Sequence, residues 1–255
     1  MNFGDMVSKS YAYKAERYTN SIHWYILKTL YERNFVNNPP TEVLAHNIPH
    51  IIHQIWLGGN IPEQYKKYAE TWKKHHPGWQ YKLWTDDDVK NIFLSKEDLF
   101  HSATNLGMKS DILRYEILKQ YGGIYIDTDF ECLRPLDPLM HFNFFTGVGY
   151  DTEPQLYNGL IATIPNHPII TRTLELCGPI YTGNKGSVIL NTTGANIFTK
   201  AFFQSLGSKG IVAFPTPYFY PYPNNIRGKG NPLEHIYDVS YAIHHWAVSW
   251  VKNKK

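Results

Sequence analysis

The stretch Gly122-Gly123-Ile124-Tyr125-Ile126-Asp127-Thr128-Asp129 is the most informative part of this chain. Its apolar centre predicts a buried strand that begins directly after two glycines. Because alternate residues of an extended chain share a face, Asp127 and Asp129 point the same way at the end of that strand. In open α/β sheets, ligands bind at this edge, so the two carboxylates are candidate ligand-binding groups.

Two carboxylates on one face repel each other, and no basic residue stands beside them in the sequence. A divalent cation removes that repulsion, and oxygen ligands in an open, partly hydrated geometry suit Mg²⁺ or Mn²⁺. A cation of this kind can clamp a diphosphate and stabilise it as a leaving group. The alternative is a polar turn that only ends the strand.

Met108–Tyr121, which directly precedes the acidic strand, carries the clearest helical pattern of the chain. Asp111 and Arg114 are three residues apart and therefore neighbours on its surface. Because this helix leads into the acidic strand, its N-terminal half can reach the same edge of the sheet. The pair is then either a ligand-binding group or an ordinary surface ion pair of small energetic value.

The order of elements predicts an α/β domain with a largely parallel sheet. Helices alternate with apolar runs that read as strands, and the runs are Ile51–Leu57, Trp79–Trp84, Ile124–Asp127, Phe144–Val148, Leu160–Thr163, Val188–Leu190 and Tyr241–Ile243. Residues 48–255 form this domain. An apolar stripe at helical spacing over Ser8–Asn34 predicts an N-terminal helical extension, residues 1–47.

Two further segments are candidates for ligand contact. Trp56 and Leu57 directly precede Gly58-Gly59. The flat Trp56 ring beside approachable glycine backbone suits stacking of a nucleobase. The alternative is a core tryptophan above a tight turn. His244 and His245 stand near the C-terminus, where one imidazole can complete a metal site.

Composition excludes several classes of protein. The 255 residues carry a net charge of +3, which is too weak for an obligate nucleic-acid partner, and 15% aromatic residues exclude a disordered chain. Two cysteines form no disulfide framework, which favours a reducing compartment. Without an apolar run of about 18 residues, a membrane span is not predicted. We expect a soluble, cytoplasmic protein.

These segments, taken in order, resemble the sugar-binding-region glycosyltransferases with an Asp-x-Asp motif, family 32. The similar sequence begins at Ile48-Pro49-His50-Ile51-Ile52-His53-Gln54-Ile55-Trp56 and ends at His244-His245-Trp246 with Ser249-Trp250. The family includes initiating mannosyltransferases, capsular polysaccharide enzymes and, more distantly, large glucosylating toxins. The resemblance implies a GT-A-type nucleotide-sugar-binding fold, a divalent metal, usually Mn²⁺, and transfer with retention at the anomeric carbon.

The resemblance also implies roles for single residues. Asp129 would ligate the metal, with Asp127 meeting it through water and His244 as the second protein ligand; His245 is the alternative to His244. The base and ribose of the donor would contact Trp56, Leu57 and Tyr125. The reacting sugar would contact Asp111, Arg114 and Asn158. Asp127 would bind hydroxyls of both the ribose and the sugar. Ser249 and Trp250 would close over the diphosphate.

The predicted function is metal-dependent transfer of a hexose, with retention, from a UDP- or GDP-sugar to a hydroxyl of a growing polysaccharide or glycolipid. Alternatives are a protein acceptor, a nucleotide-sugar-binding protein with weak or no turnover, and a metal-dependent phosphodiesterase. Basic residues near both ends either contact the inner face of a membrane peripherally or form a solvated surface; they are Lys9, Lys14, Arg17, Lys252, Lys254 and Lys255.

Overall fold

The computed structural model describes residues 3–4, 21–38, 46–150, 154–179 and 186–247. The helices are α1 Ile22–Tyr31, α2 Glu63–His75, α3 Asp86–Val89, α4 Glu97–Ser102, α5 Leu106–Tyr121, α6 Pro168–Leu176, α7 Gly186–Thr192 and α8 Ala195–Gln204. The strands are β1 Ile51–Ile55, β2 Gln80–Trp84, β3 Gly123–Ile126, β4 Phe130–Cys132, β5 Phe144–Tyr150, β6 Pro154–Thr163, β7 Ile211–Phe214 and β8 Ala242–His244.

Six strands form a central sheet in the order β2-β1-β3-β6-β5-β7. Strand β6 pairs antiparallel with both of its neighbours, whereas the remaining pairs are parallel. Five strands therefore run one way and β6 runs the other. The predicted mostly parallel sheet flanked by helices is confirmed.

The turn from α5 into β3 depends on two glycines. Gly122 ends α5 with φ 63°, and a Cβ there would lie 2.8 Å from the carbonyl oxygen of Thr163. Gly123 has φ 86°, and a Cβ there would lie 2.6 Å from the carbonyl oxygen of Ile51. Only glycine fits this backbone without strain, so the helix and the strand that carry the candidate site residues are joined at a fixed angle.

A second, two-stranded sheet pairs β4 with β8 in antiparallel register. Phe130 is opposite His244, and the N–H of His245 donates to the carbonyl oxygen of Asp129 at 3.0 Å. This ribbon brings a segment from the end of the chain to the acidic residues that follow β3.

Helix α1 is part of the same hydrophobic core as the sheet. Its buried side chains are Trp24, Leu27, Leu30 and Tyr31. The hydroxyls of Tyr31 and Tyr218 are 2.9 Å apart. Of the helix predicted over Ser8–Asn34, the part at 22–31 is observed, followed by a π-helical turn at Glu32–Val36, and residues 8–20 lie outside the described residues. The boundary at 47/48 remains a prediction.

One predicted strand is wrong. Val188–Leu190 lies in helix α7, where the Thr192 hydroxyl donates to the Val188 carbonyl oxygen at 2.7 Å. Ile189 is buried against Ala103 and Met108, so tertiary packing of one helical face overrides the β-propensity of a three-residue run. Within the described residues, none of the helices has the length and apolar character to cross a membrane.

Candidate active site

The acidic residues after β3 meet the end of β8. Asp127, Asp129 and His244 each offer a ligand atom, and these three atoms lie within 4.8 Å of one another. Among the described residues, this is the one group of three or more His, Cys, Asp or Glu side chains that is so arranged. The structure therefore brings together the three residues that the sequence predicted as metal ligands.

The carboxylate of Asp129 is held by polar groups on both of its oxygens. His244 Nε2 donates to Oδ1 at 2.9 Å, and the N–H of Ala247 donates to Oδ2 at 2.7 Å. The second bond depends on Trp246, whose left-handed φ of 56° turns the chain back toward the site. Burial alone would raise the pKa of Asp129, but His244 and these hydrogen bonds hold that pKa below its ordinary value.

The residues in this cluster fit a divalent cation. The Nδ1 atom of His244 is buried and has no hydrogen-bond partner in the described structure. Asp127 is the most accessible of the three, with 29% of its side chain exposed against 9% for Asp129. Two carboxylates and an imidazole with one side open to solvent are a donor set that suits Mn²⁺ or Mg²⁺.

His245 lies on the other side of the β4–β8 ribbon. Its Nε2 atom is 3.0 Å from Glu131 Oε2, and its ring stacks on Tyr68 with 4.4 Å between the ring centroids. This arrangement favours His244 over His245 as the metal ligand, because His245 already has a carboxylate partner away from the cluster.

Asp111 and Arg114 lie in a buried network beside Asp127. Arg114 is 3.1 Å from Asp111 Oδ1 and 3.2 Å from Asp127 Oδ1, and each side chain of the Asp111–Arg114 pair is 7% exposed. The alternative of an exposed surface ion pair is therefore wrong. Burial raises the pKa of Asp111 and of Asp127, and the charge of Arg114 opposes this rise in both.

Tyr125 connects this network to the metal cluster. Its hydroxyl donates to Asp127 Oδ1 at 2.7 Å, and the Arg114 guanidinium lies over its ring at 4.4 Å from the centroid. Because burial raises the pKa of Tyr125 well above its ordinary value, the hydroxyl keeps the proton that it donates. Arg114 and Tyr125 together fix the Asp127 carboxylate.

Asn158, on β6, joins the same network. Its side-chain Nδ2 donates to Asp111 Oδ1 at 2.8 Å, and its backbone carbonyl oxygen accepts from Arg114 Nη1 at 2.7 Å. The structure thus brings Asn158 to Asp111 and Arg114, across two elements that are far apart in the sequence.

Trp56 and Leu57 are half-buried at the end of β1. The Trp56 ring packs against Tyr65 with 5.0 Å between centroids. Leu57 borders a cavity of about 580 Å³, whose other lining side chains include Leu106 and Lys109. Leu57 therefore lies where a ligand ring can approach, whereas Trp56 does not line this cavity. The predicted diphosphate contacts, Ser249 and Trp250, lie outside the described residues.

Sequence reasoning missed three residues of the site. Thr193 donates from Oγ1 to Asp111 Oδ2 at 2.9 Å, although 82 positions separate the two residues in the chain. Tyr115 lies within the apolar helical pattern of Met108–Tyr121, which gives no sign of a polar role, yet its hydroxyl accepts from Asn158 Nδ2 at 2.8 Å. A Cβ on Gly159 would lie 2.7 Å from Asp127 Oδ2, and its neighbour Asn158, named through the family resemblance, was the only signal.

Comparison with known proteins finds a related family over part of this chain. Residues 62–146 match the family model described as glycosyltransferase sugar-binding region containing DXD motif. The matched segment includes Asp111, Arg114, Asp127 and Asp129, and it ends before Asn158. The resemblance predicted from the sequence is confirmed over this segment.

Proteins similar to this chain in sequence include a fungal mannosyltransferase and a viral glycosyltransferase. Inositol phosphoceramide mannosyltransferase 1 of Schizosaccharomyces pombe is 37% identical over 136 residues, covering 50% of this chain and 42% of that protein. The uncharacterized glycosyltransferase L373 of Acanthamoeba polyphaga mimivirus is 33% identical over 161 residues, covering 59% of this chain and 63% of that protein. The matched part of this chain thus spans about half the length of these relatives.

Among solved structures, the PaToxG glycosyltransferase aligns over 62% of this chain and 69% of its own. The TM-score is 0.49 and the sequence identity is 24%.

Proposed function

We propose that this chain, whose residues 62–146 belong to the DXD-containing sugar-binding region of glycosyltransferases, transfers a hexose from a nucleoside-diphosphate sugar to a hydroxyl acceptor. The observation that carries the proposal is the close grouping of Asp127, Asp129 and His244 beside the buried Asp111–Arg114 pair. A metal-ligand set next to a buried network of polar groups suits this reaction.

Asp129 and His244 would hold the cation, with Asp127 facing it from the more exposed side. When bound there, a divalent cation supplies positive charge opposite the departing diphosphate. Arg114 adds a fixed positive charge 3.2 Å from Asp127, in a site where burial strengthens electrostatic interactions. The base would stack near Trp56 and Leu57, with Tyr125 toward the ribose.

Retention without a covalent sugar–enzyme adduct is the mechanism that the side chains favour. Asp111 is the other carboxylate near the sugar position, and both of its oxygens already accept hydrogen bonds from Asn158 and Thr193. A carboxylate so occupied is a poor nucleophile. We therefore propose a front-face path, in which the leaving phosphate helps to deprotonate the acceptor hydroxyl.

For the substrate, we propose mannose as the transferred sugar and a glycolipid as the acceptor. This proposal follows the name of the Schizosaccharomyces pombe relative, an inositol phosphoceramide mannosyltransferase. A glycolipid acceptor requires the site to reach a membrane surface. Peripheral contact through the six basic residues near both chain ends is part of the proposal, and all six lie outside the described ranges.

The test is turnover of a panel of UDP- and GDP-sugars by the purified chain, with Mn²⁺ and with EDTA. We expect Mn²⁺-dependent release of the nucleoside diphosphate, faster when an inositol-containing glycolipid is added. Asp129→Ala should reduce this activity to background, because it removes a metal ligand. Asp238→Ala, at an exposed aspartate, is the control and should behave as wild type. Equal turnover in EDTA would contradict the proposal.

A further inference from the structure

Four residues of the site form a closed ring of hydrogen bonds, in which Thr193 takes part through both its side chain and its backbone carbonyl. Asn158 Nδ2 donates to Asp111 Oδ1 and to the Tyr115 hydroxyl, both at 2.8 Å. The Tyr115 hydroxyl donates to the carbonyl oxygen of Thr193 at 3.0 Å. The Thr193 hydroxyl closes the ring by donating to Asp111 Oδ2 at 2.9 Å.

This ring ties three distant parts of the chain together. Asp111 and Tyr115 lie one helical turn apart on α5, Asn158 lies on β6, and Thr193 lies between α7 and α8. Tyr115 and Thr193 are fully buried, and Asp111 is 5% exposed. In such a setting an unpaired polar group is costly, so the ring has little freedom to rearrange.

The direction of each hydrogen bond follows from the chemistry of the groups. A backbone carbonyl oxygen only accepts, so the single proton of the Tyr115 hydroxyl points to Thr193. That hydroxyl must then accept from Asn158, and only the amide nitrogen of Asn158 can donate. Because burial raises the pKa of Tyr115 well above its ordinary value, the hydroxyl keeps this proton.

The same logic fixes which end of the Asn158 amide faces the ring. Its nitrogen is committed to Asp111 and Tyr115. Its carbonyl oxygen points the other way and has no hydrogen-bond partner among the described residues. An amide held in this orientation offers a ligand only an acceptor, which suits a sugar hydroxyl as donor of a hydrogen bond.

We propose that Tyr115 and Thr193 are positioning residues that hold the Asn158 amide so that its carbonyl oxygen faces a hydroxyl of the donor sugar. This inference rests on the proposed function. It differs from a role in stability alone, because the ring then determines recognition of the sugar and leaves recognition of the nucleoside diphosphate unchanged.

Two substitutions break the ring without changing side-chain size much. Tyr115→Phe removes both bonds of the hydroxyl, and Thr193→Val leaves Asp111 Oδ2 without its donor. Thr193→Ser keeps the hydroxyl and is the rescue variant. Thr192→Val is the matched control, because it removes a neighbouring buried hydroxyl that bonds only to Val188 within α7.

The experiment compares these variants in two assays with Mn²⁺ present. Calorimetry measures the affinity for the nucleoside diphosphate, and steady-state kinetics measure turnover of the corresponding nucleotide sugar. We expect nucleoside-diphosphate affinity to stay within about threefold of wild type in every variant. Turnover should fall on the order of 10- to 100-fold in Tyr115→Phe and Thr193→Val, the range expected for a misplaced contact group.

Thr193→Ser and Thr192→Val should retain turnover within about threefold of wild type, as expected when the positioned amide is undisturbed. Full turnover in both Tyr115→Phe and Thr193→Val would overturn the inference, and so would an equal loss of nucleoside-diphosphate binding and turnover. If wild type itself binds and turns over none of the nucleotide sugars, the proposed function fails first, and this inference fails with it. Active wild type with unaffected ring variants overturns the inference alone.

Discussion

At the scale of single residues, the position of the Asp127 carboxylate depends on the lack of a side chain at Gly159. The Asp127 N–H donates to the Gly159 carbonyl oxygen at 2.8 Å, and a Cβ on Gly159 would lie 2.7 Å from Asp127 Oδ2. A contact this short forces one of the two groups to move. Since Arg114 and Tyr125 hold the other oxygen of Asp127, the carboxylate has few alternative positions.

Gly159→Ala should therefore reduce Mn²⁺-dependent turnover of a nucleotide sugar on the order of 100-fold, because the new methyl group displaces the Asp127 carboxylate. Initial rates at saturating Mn²⁺ measure this effect. Gly207→Ala is the control, because a Cβ there meets no atom within 4 Å. Turnover by Gly159→Ala equal to that of Gly207→Ala would show that the position of Asp127 does not depend on Gly159.

Some residues of the site could be predicted from the sequence and others could not. The strand period paired Asp127 with Asp129 in the sequence; in the structure β3 ends at Ile126, and the turn that follows it brings the two carboxylates together. His244 needed the resemblance to a family. Thr193 gave no local signal, because its partner, Asp111, lies 82 positions away and only the tertiary fold brings them together.

At the scale of secondary-structure elements, the start of α6 is sensitive to protonation. His167 is the N-cap residue, and its Nδ1 accepts from the N–H of Ile169 at 3.2 Å. The side chain is 2% exposed, and burial lowers its pKa to about 4. A protonated imidazole cannot accept this hydrogen bond, so acid weakens the cap.

The sign of the pH effect follows from the lowered pKa. Between about pH 6.5 and pH 4, the unfolded chain binds a proton at His167 that the folded chain does not, so stability falls as the pH falls. Between pH 7 and pH 5 this residue should account for about 2 kcal/mol of lost unfolding free energy.

His167→Asn should reduce this pH dependence, because asparagine also caps a helix but does not titrate. Urea unfolding at pH 7 and at pH 5 measures the difference. An unchanged pH dependence in the variant would contradict the assignment of this effect to His167.

The helix with the clearest period was predicted well, and most short apolar runs are strands as predicted, but the run Val188–Leu190 is not. The helix expected over Met108–Tyr121 is observed as Leu106–Tyr121, where Asn105 caps it with hydrogen bonds from Gly107 and Met108. The Val188–Leu190 run is too short to show a period of 2 or 3.6. Its helical state depends on the packing of Ile189, which no local pattern reveals.

At the scale of the whole molecule, α1 and the central sheet share one core. Leu27 is fully buried, and Tyr31 packs edge-on against Phe214 of β7 with 6.1 Å between ring centroids. The segment that the sequence suggested as an extension thus supplies part of the apolar surface that the sheet buries.

Leu27→Ala should lower the unfolding free energy by about 2–5 kcal/mol, the usual cost of a cavity in a packed core. Ile22→Ala, at a position that is 67% exposed on the same helix, should change it by less than about 0.5 kcal/mol. Urea unfolding of both variants gives the comparison. If the two variants unfolded alike, α1 would be an appendage that the core does not need.

The proposed reaction depends on a divalent cation that Asp127, Asp129 and His244 hold during transfer of a sugar. The most direct measurement is anomalous diffraction at the manganese edge, from crystals of the chain grown with Mn²⁺ and a nucleoside diphosphate. We predict one anomalous peak within coordination distance of Asp129 and His244, with the diphosphate oxygens on its open side. A diphosphate bound with no peak at these residues, or with the peak elsewhere in the molecule, would contradict the claim.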